Sequence, residues 1–125
     1  MNQKTALTEA EWKIMQLLWD KSPLTMMEIT RALCEATGWT KNTVTTLLKR
    51  MNQKGTVDID ETGGVKRYLP KVDKERVTRE QTDTLLKRLF SGKASLLVTN
   101  LVERGNMTEE EIQEIMKILE GTSKE

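Results

Sequence analysis

The sequence predicts a mainly α fold with one small β-hairpin, and three observations predict it. Thr8 with Glu11, Thr25 with Glu28 and Thr108 with Glu111 each form a T-x-x-E box. In such a box hydroxyl and carboxylate satisfy each other's orphaned backbone donors, which marks a helix start. Apolar residues recur at helical spacing through most of the chain, the period of helices with one buried face. Once only, between Thr56 and Pro70, the period changes to two around Gly63-Gly64.

The first box opens a helix over about Glu9–Lys21, with Trp12, Met15, Leu18 and Trp19 on one face, and Ser22-Pro23 ends it. The second opens a helix from Met26 to about Ala36, where Thr37-Gly38 offers a left-handed closing turn. Thr40 caps a third helix that runs to about Lys54, before Gly55. Val44, Leu47, Leu48 and Met51 form its apolar stripe at i, i+3, i+4 and i+7. The opposite face carries Asn42, Thr45, Thr46, Lys49, Arg50 and Gln53, and no Asp or Glu occurs between Gly38 and Gln53. Amide, hydroxyl and cationic groups without an acid suit the acceptor-rich major-groove edge of DNA and its phosphates. Taken alone, the segment reads equally well as an ordinary solvated helix face.

Val57 and Ile59, then Val65, Arg67 and Leu69, alternate with other residues at period two, and Gly63-Gly64 permits a tight turn between them. This predicts a two-stranded hairpin whose tip carries Lys66 and Arg67. Three helices followed by a hairpin is the order of a winged helix-turn-helix, in which the third helix enters the major groove and the hairpin lies along the backbone. Residues 1–71 are assigned to that DNA-binding head; a three-helix core with an incidental hairpin is the alternative.

After Pro70, Asp73 caps a long helix to about Phe90 that contains Val77, Leu85, Leu86, Leu89 and Phe90. Ser91-Gly92 breaks it. Ala94, Leu97, Val98, Leu101 and Val102 face one way on a second helix, and Ile112, Ile115, Met116 and Leu119 on a third. Three short amphipathic helices bury such stripes poorly alone. Residues 72–125 are therefore read as a helical dimerisation module closing across a two-fold axis, with fold-back onto the head as the alternative.

Composition excludes several classes. Basic and acidic residues nearly balance, 20 against 19, so bulk charge selects no partner. Their distribution differs: residues 1–70 carry net +2 and residues 71–125 net −1, a weakly basic front and an acidic back. The chain has no His and one Cys, Cys34. It offers no disulfide pair, no tetrahedral zinc set and no His to activate a nucleophile. No metal, no cofactor and no enzymatic activity is expected. No apolar run reaches the length of a membrane span, and the N-terminus lacks the shape of a signal peptide, so a cytoplasmic chain without direct membrane insertion is expected.

Leu7–Trp19 (LTEAEWKIMQLLW), Thr43–Gly55 (TVTTLLKRMNQKG), Ser95–Glu103 (SLLVTNLVE) and Met107–Ile115 (MTEEEIQEI) together resemble the penicillinase-repressor (BlaI/MecI/CopY) family of bacterial winged-helix regulators. The resemblance runs in order over nearly the whole chain. It implies a homodimeric repressor of resistance genes, chiefly for β-lactamase or low-affinity penicillin-binding proteins. It also implies release by proteolysis in the dimerisation module when a membrane-bound sensor metalloprotease detects a β-lactam. The bond implied follows Asn100, between Asn100 and Leu101. Two departures stand out. The family usually has Phe after that Asn, and Thr45 stands where the recognition helix commonly carries Arg, whose two-donor contact to guanine Thr cannot make. The chain ends without the CxC pairs of the copper-responsive branch.

The resulting expectation is a repressor that binds a palindromic, double-stranded operator. Lys41, Asn42, Thr43, Thr45, Thr46, Lys49 and Arg50 face the major groove, with Asn42 and Thr46 on base edges and Lys49 and Arg50 on phosphates. Lys66 and Arg67 grip the flanking backbone. Leu86, Leu89, Phe90, Leu97, Val98, Leu101, Val102, Ile112, Ile115, Met116 and Leu119 form the dimer surface. The competing readings are a regulator of the same family answering to another signal, and a winged-helix protein-interaction module that ignores DNA.

Overall fold

A computed structural model describes residues 6–123. Its elements are α1 (Glu9–Lys21), β1 (Leu24–Thr25), α2 (Met26–Thr37), α3 (Lys41–Lys54), β2 (Val57–Asp60), β3 (Arg67–Pro70), α4 (Lys74–Phe90), α5 (Ala94–Glu103) and α6 (Glu109–Ser123). The chain divides into two compact units, Met1–Gln81 and Thr82–Glu125. The first carries the three-helix and sheet arrangement of a winged helix.

In the first unit the helix boundaries follow from the caps. Thr8 Oγ1 accepts the Glu11 N–H at 3.1 Å while Glu11 Oε1 accepts the Thr8 N–H at 3.1 Å. Thr25 and Glu28 repeat the exchange at the start of α2. Gly38 (φ 74°) and Gly55 (φ 89°) close α2 and α3 in the left-handed region that a side chain disfavours. Ile14, Met15 and Leu18 from α1, Ile29 from α2, Val44, Leu47, Leu48 and Met51 from α3, and Val57 from β2 make one buried cluster. At about 25 cal/mol per Å² of apolar surface removed from water, this cluster is the dominant favourable term for the unit. Trp12 and Trp19 flank it half-buried, their rings edge to face with centroids 5.7 Å apart.

The sheet differs from the expected hairpin in two ways. It has three antiparallel strands in the order β1-β3-β2. Leu24 pairs with Tyr68 and Thr25 with Arg67, so the segment after Pro23 adds a strand. Two residues carry no readable period, which is why the sequence pattern does not reveal it. The phase of the second hairpin strand is also displaced by one. Ile59 pairs with Tyr68 and Val57 with Pro70, and Tyr68 packs against the core. Arg67 and Leu69 fall on the other face, and Val65 lies before the strand, 51% exposed. A connection from Glu61 to Lys66, longer than a Gly-Gly turn, sets this register, and one residue of slip exchanges the faces.

In the second unit, Ser91 (φ 52°) and Gly92 (φ 79°) turn the chain out of α4, and Gly105 (φ 73°) turns it out of α5. Thr108 and Glu111 form the third box, at 3.1 and 2.9 Å, and open α6 as expected. Glu109, Glu110 and Glu111 in its first turn favour the positive end of the helix dipole. Among the described residues of this unit none is fully buried.

Candidate nucleic-acid interface

The buried stripe of α3 determines which residues of that helix meet solvent. Val44, Leu48 and Met51 are at most 1% exposed and Leu47 is 8% exposed. Lys41, Asn42, Thr43, Thr45, Thr46, Lys49 and Arg50 are all exposed. Among the described residues, Lys41, Lys49 and Arg50 make no ion pair, so their charge is available to an external anion. The first turn of α3 has no acidic residue, whereas α1 and α2 begin with one or two. The free N–H groups at that end keep a partial positive charge that Glu or Asp would otherwise take up.

The threonines are not equivalent. Thr46 Oγ1 donates to the Asn42 carbonyl at 3.0 Å, and its lone pairs stay open to a donor on a base. Thr45 Oγ1 donates to the Lys41 carbonyl at 2.8 Å and also lies against Met26 Sδ at the start of α2. Its hydroxyl is thus turned toward a neighbouring helix. Thr43 lies beside the N-cap, its N–H 3.4 Å from Thr40 Oγ1.

The wing is less basic than its tip suggests. Lys66 lies in the exposed connection and Arg67 opens β3 directly opposite Asp60. Asp58, Asp60 and Glu61 outnumber these two cations. Asp60 Oδ1 accepts the Thr62 N–H at 2.9 Å and the Thr62 hydroxyl at 2.7 Å. The Thr62 N–H, then its hydroxyl, with Arg67 nearby, hold the Asp60 carboxyl below its ordinary range against a smaller opposing effect of burial. Arg67 Nη1 folds over the turn, 3.2 Å from where a Cβ on Gly63 would stand. Lys66 is the more outward of the two expected backbone contacts, and the acidic share of the wing was legible in Asp58-Ile59-Asp60-Glu61.

Of the residues expected at a dimer surface, Leu89, Val98, Val102, Met116 and Leu119 are exposed, between 40% and 61%. Leu86, Phe90, Leu97, Leu101, Ile112 and Ile115 are half-buried. Leu96 (46%) and Ile118 (65%) are also exposed, and the helical stripes did not include them. Asn100 is exposed and Leu101 half-buried, and the bond between them lies within α5. The Asn100 carbonyl accepts the Arg104 N–H at 3.2 Å and the Leu101 carbonyl accepts the Asn106 N–H at 3.0 Å. Cys34 is exposed. Among the described residues no group of acidic, Cys or His side chains could hold a metal ion, and no helix is long and apolar enough to cross a membrane.

The family described as penicillinase repressor matches residues 7–121. The penicillinase repressor of Bacillus licheniformis is 28% identical over 120 residues, covering 96% of this chain and 94% of that protein. The methicillin resistance regulatory protein MecI of Staphylococcus aureus (strain N315) is 26% identical over 120 residues, covering 95% and 98%. Among solved structures, the Bacillus licheniformis BlaI monomeric form in complex with the blaP half-operator matches with a TM-score of 0.51 and 28% identity. The match spans 55% of this chain and 84% of that one.

Proposed function

The chain belongs to the penicillinase-repressor family and is a transcriptional repressor rather than an enzyme, and from that premise we propose that it acts as a cytoplasmic homodimer on a palindromic operator. In this reading residues 1–71 bind DNA and residues 72–125 dimerise. α3 lies in the major groove, with Asn42 and Thr46 on base edges and Lys41, Lys49 and Arg50 on phosphates. Thr43 and Thr45 line the same face, and Lys66 and Arg67 of the wing approach the flanking backbone. The observation that carries this reading is the exposed, acid-free face of α3, whose cations have no partner among the described residues. The half-operator complex of the relative supports it.

The regulated genes are β-lactam resistance genes, and release follows cleavage of the Asn100–Leu101 bond by a membrane-bound sensor metalloprotease. Cutting within α5 would divide the apolar surface of the second unit and remove the avidity of two linked half-sites. Thr45 in place of Arg and Leu101 in place of Phe favour an operator and a protease pocket particular to this chain. The decisive experiment measures binding to a duplex bearing the promoter of the chain's own gene. Lys49→Ala with Arg50→Ala is expected to weaken binding and flatten the salt dependence by roughly one unit per lost phosphate contact. Unchanged affinity and slope would refute the assignment.

A further inference from the structure

One buried ionic contact ties α3 to the rest of its unit. Glu11 is fully buried, and its Oε1 accepts both the Thr8 N–H at 3.1 Å and Lys54 Nζ at 2.7 Å. Its Oε2 is buried and has no hydrogen-bond partner among the described residues. Lys54 is the last residue of α3, and its side chain is 29% exposed. A buried carboxylate is tolerated when an opposite charge compensates it, and here Lys54 supplies that charge. The same carboxylate closes the capping box of α1, so it is itself held in one place. Nearby, Asn52 Nδ2 donates to the Val57 carbonyl at 3.1 Å, and Thr56 Oγ1 to the Met51 carbonyl at 3.1 Å. The C-terminal end of α3 is therefore pinned to both α1 and the sheet.

Apolar burial is non-directional, so the Val44–Met51 stripe sets which face of α3 meets the core but leaves the fine roll within the width of the stripe, and the position along the helix axis, to more directional contacts. A charge-assisted contact to one immobile oxygen constrains both. We propose that Lys54, held by Glu11, is a positioning residue for operator recognition. It sets the roll and axial register of the face that carries Asn42, Thr46, Lys49 and Arg50, and does not itself touch DNA. This rests on α3 being the recognition helix.

The test uses the full chain and a duplex with the promoter of its own gene. Lys54→Met alone would strand the buried carboxylate, so the informative variant is Glu11→Gln with Lys54→Met. Replacing both charges together is often neutral for stability. The expected result is a wild-type denaturation midpoint, affinity weaker by about tenfold and an unchanged salt slope. Glu11→Asp keeps both charges but withdraws the carboxylate by one methylene, and it is expected to weaken affinity in the same way should the double variant fail to fold. Lys54→Arg with Glu11 intact keeps a charge-assisted contact and is expected to retain most of the wild-type affinity. The proposal is overturned if folded variants bind like wild type, if affinity falls only in step with stability, or if the salt slope flattens by about one, which would make Lys54 a phosphate contact. Wild-type binding by Lys49→Ala with Arg50→Ala would instead overturn the reading of α3 itself.

Discussion

Trp19 donates its indole N–H to the carbonyl of Val72 at 3.0 Å, which joins the end of α1 to the segment between β3 and α4 across 53 residues. Both residues pack against the core cluster, so the bond sits where water competes weakly. Trp19→Phe keeps most of the apolar body and strands the Val72 carbonyl. A loss of about 1 kcal/mol is expected in urea unfolding. A midpoint equal to wild type would show that water replaces the indole without penalty.

Asp60 illustrates a surface effect with a defined sign. Its folded-state pKa lies below the ordinary 3.8, chiefly through the Thr62 N–H and then the Thr62 hydroxyl. A depressed folded pKa stabilises the folded chain at pH values above 3.8, and that contribution fades as pH falls from 3.8 through the lower folded value. Because the carboxylate is solvent-exposed, the measurable signature is the titration itself. NMR should place the Asp60 midpoint below 3.8, and Thr62→Val should move it upward by removing one of the two Thr62 donors. An unmoved midpoint would assign the shift to the backbone donor alone.

α5 begins without a side-chain cap. Lys93 occupies the N-cap position with extended backbone and places a cation at the positive end of the helix. No residue of α5 is buried, so little packing compensates. Lys93→Asp should stabilise α5 by about 1 kcal/mol, visible as slower amide exchange across 94–103. If the Asn100–Leu101 bond is cut only when α5 opens locally, the same variant should be cleaved several-fold more slowly. Slower exchange with unchanged cleavage would separate the two.

The exposed apolar side chains of α6 provide a direct test of dimerisation. Leu119 is 61% exposed, so a polar replacement disturbs little within the monomer. On the proposed homodimer, the wild type should sediment as a dimer and Leu119→Lys as a monomer at the same concentration, while keeping its helical circular dichroism. Its operator affinity should fall as avidity is lost. A dimeric Leu119→Lys would move the interface away from this face of α6.

Much of this chain was legible because its signals are local. A hydroxyl three residues before a carboxylate specifies a helix start whatever surrounds it, and all three boxes form. The Val44, Leu47, Leu48 and Met51 stripe decides by its spacing alone which residues of α3 face outward. The sequence by itself therefore determined the order of helices α1–α6 and the β2–β3 hairpin, and the exposed face of the third helix. Only the tertiary structure decided what depends on distant partners. Leu24-Thr25 becomes a strand because Tyr68 and Arg67 lie beside it. Tyr68 rather than Leu69 faces the core because the length of the wing connection sets the register. Arg67 lies opposite Asp60, and Lys54 meets Glu11 over 43 residues of chain. A charge pair or a strand register of that kind leaves no periodic trace, since each residue is specified by a partner whose position exists only after the core has closed.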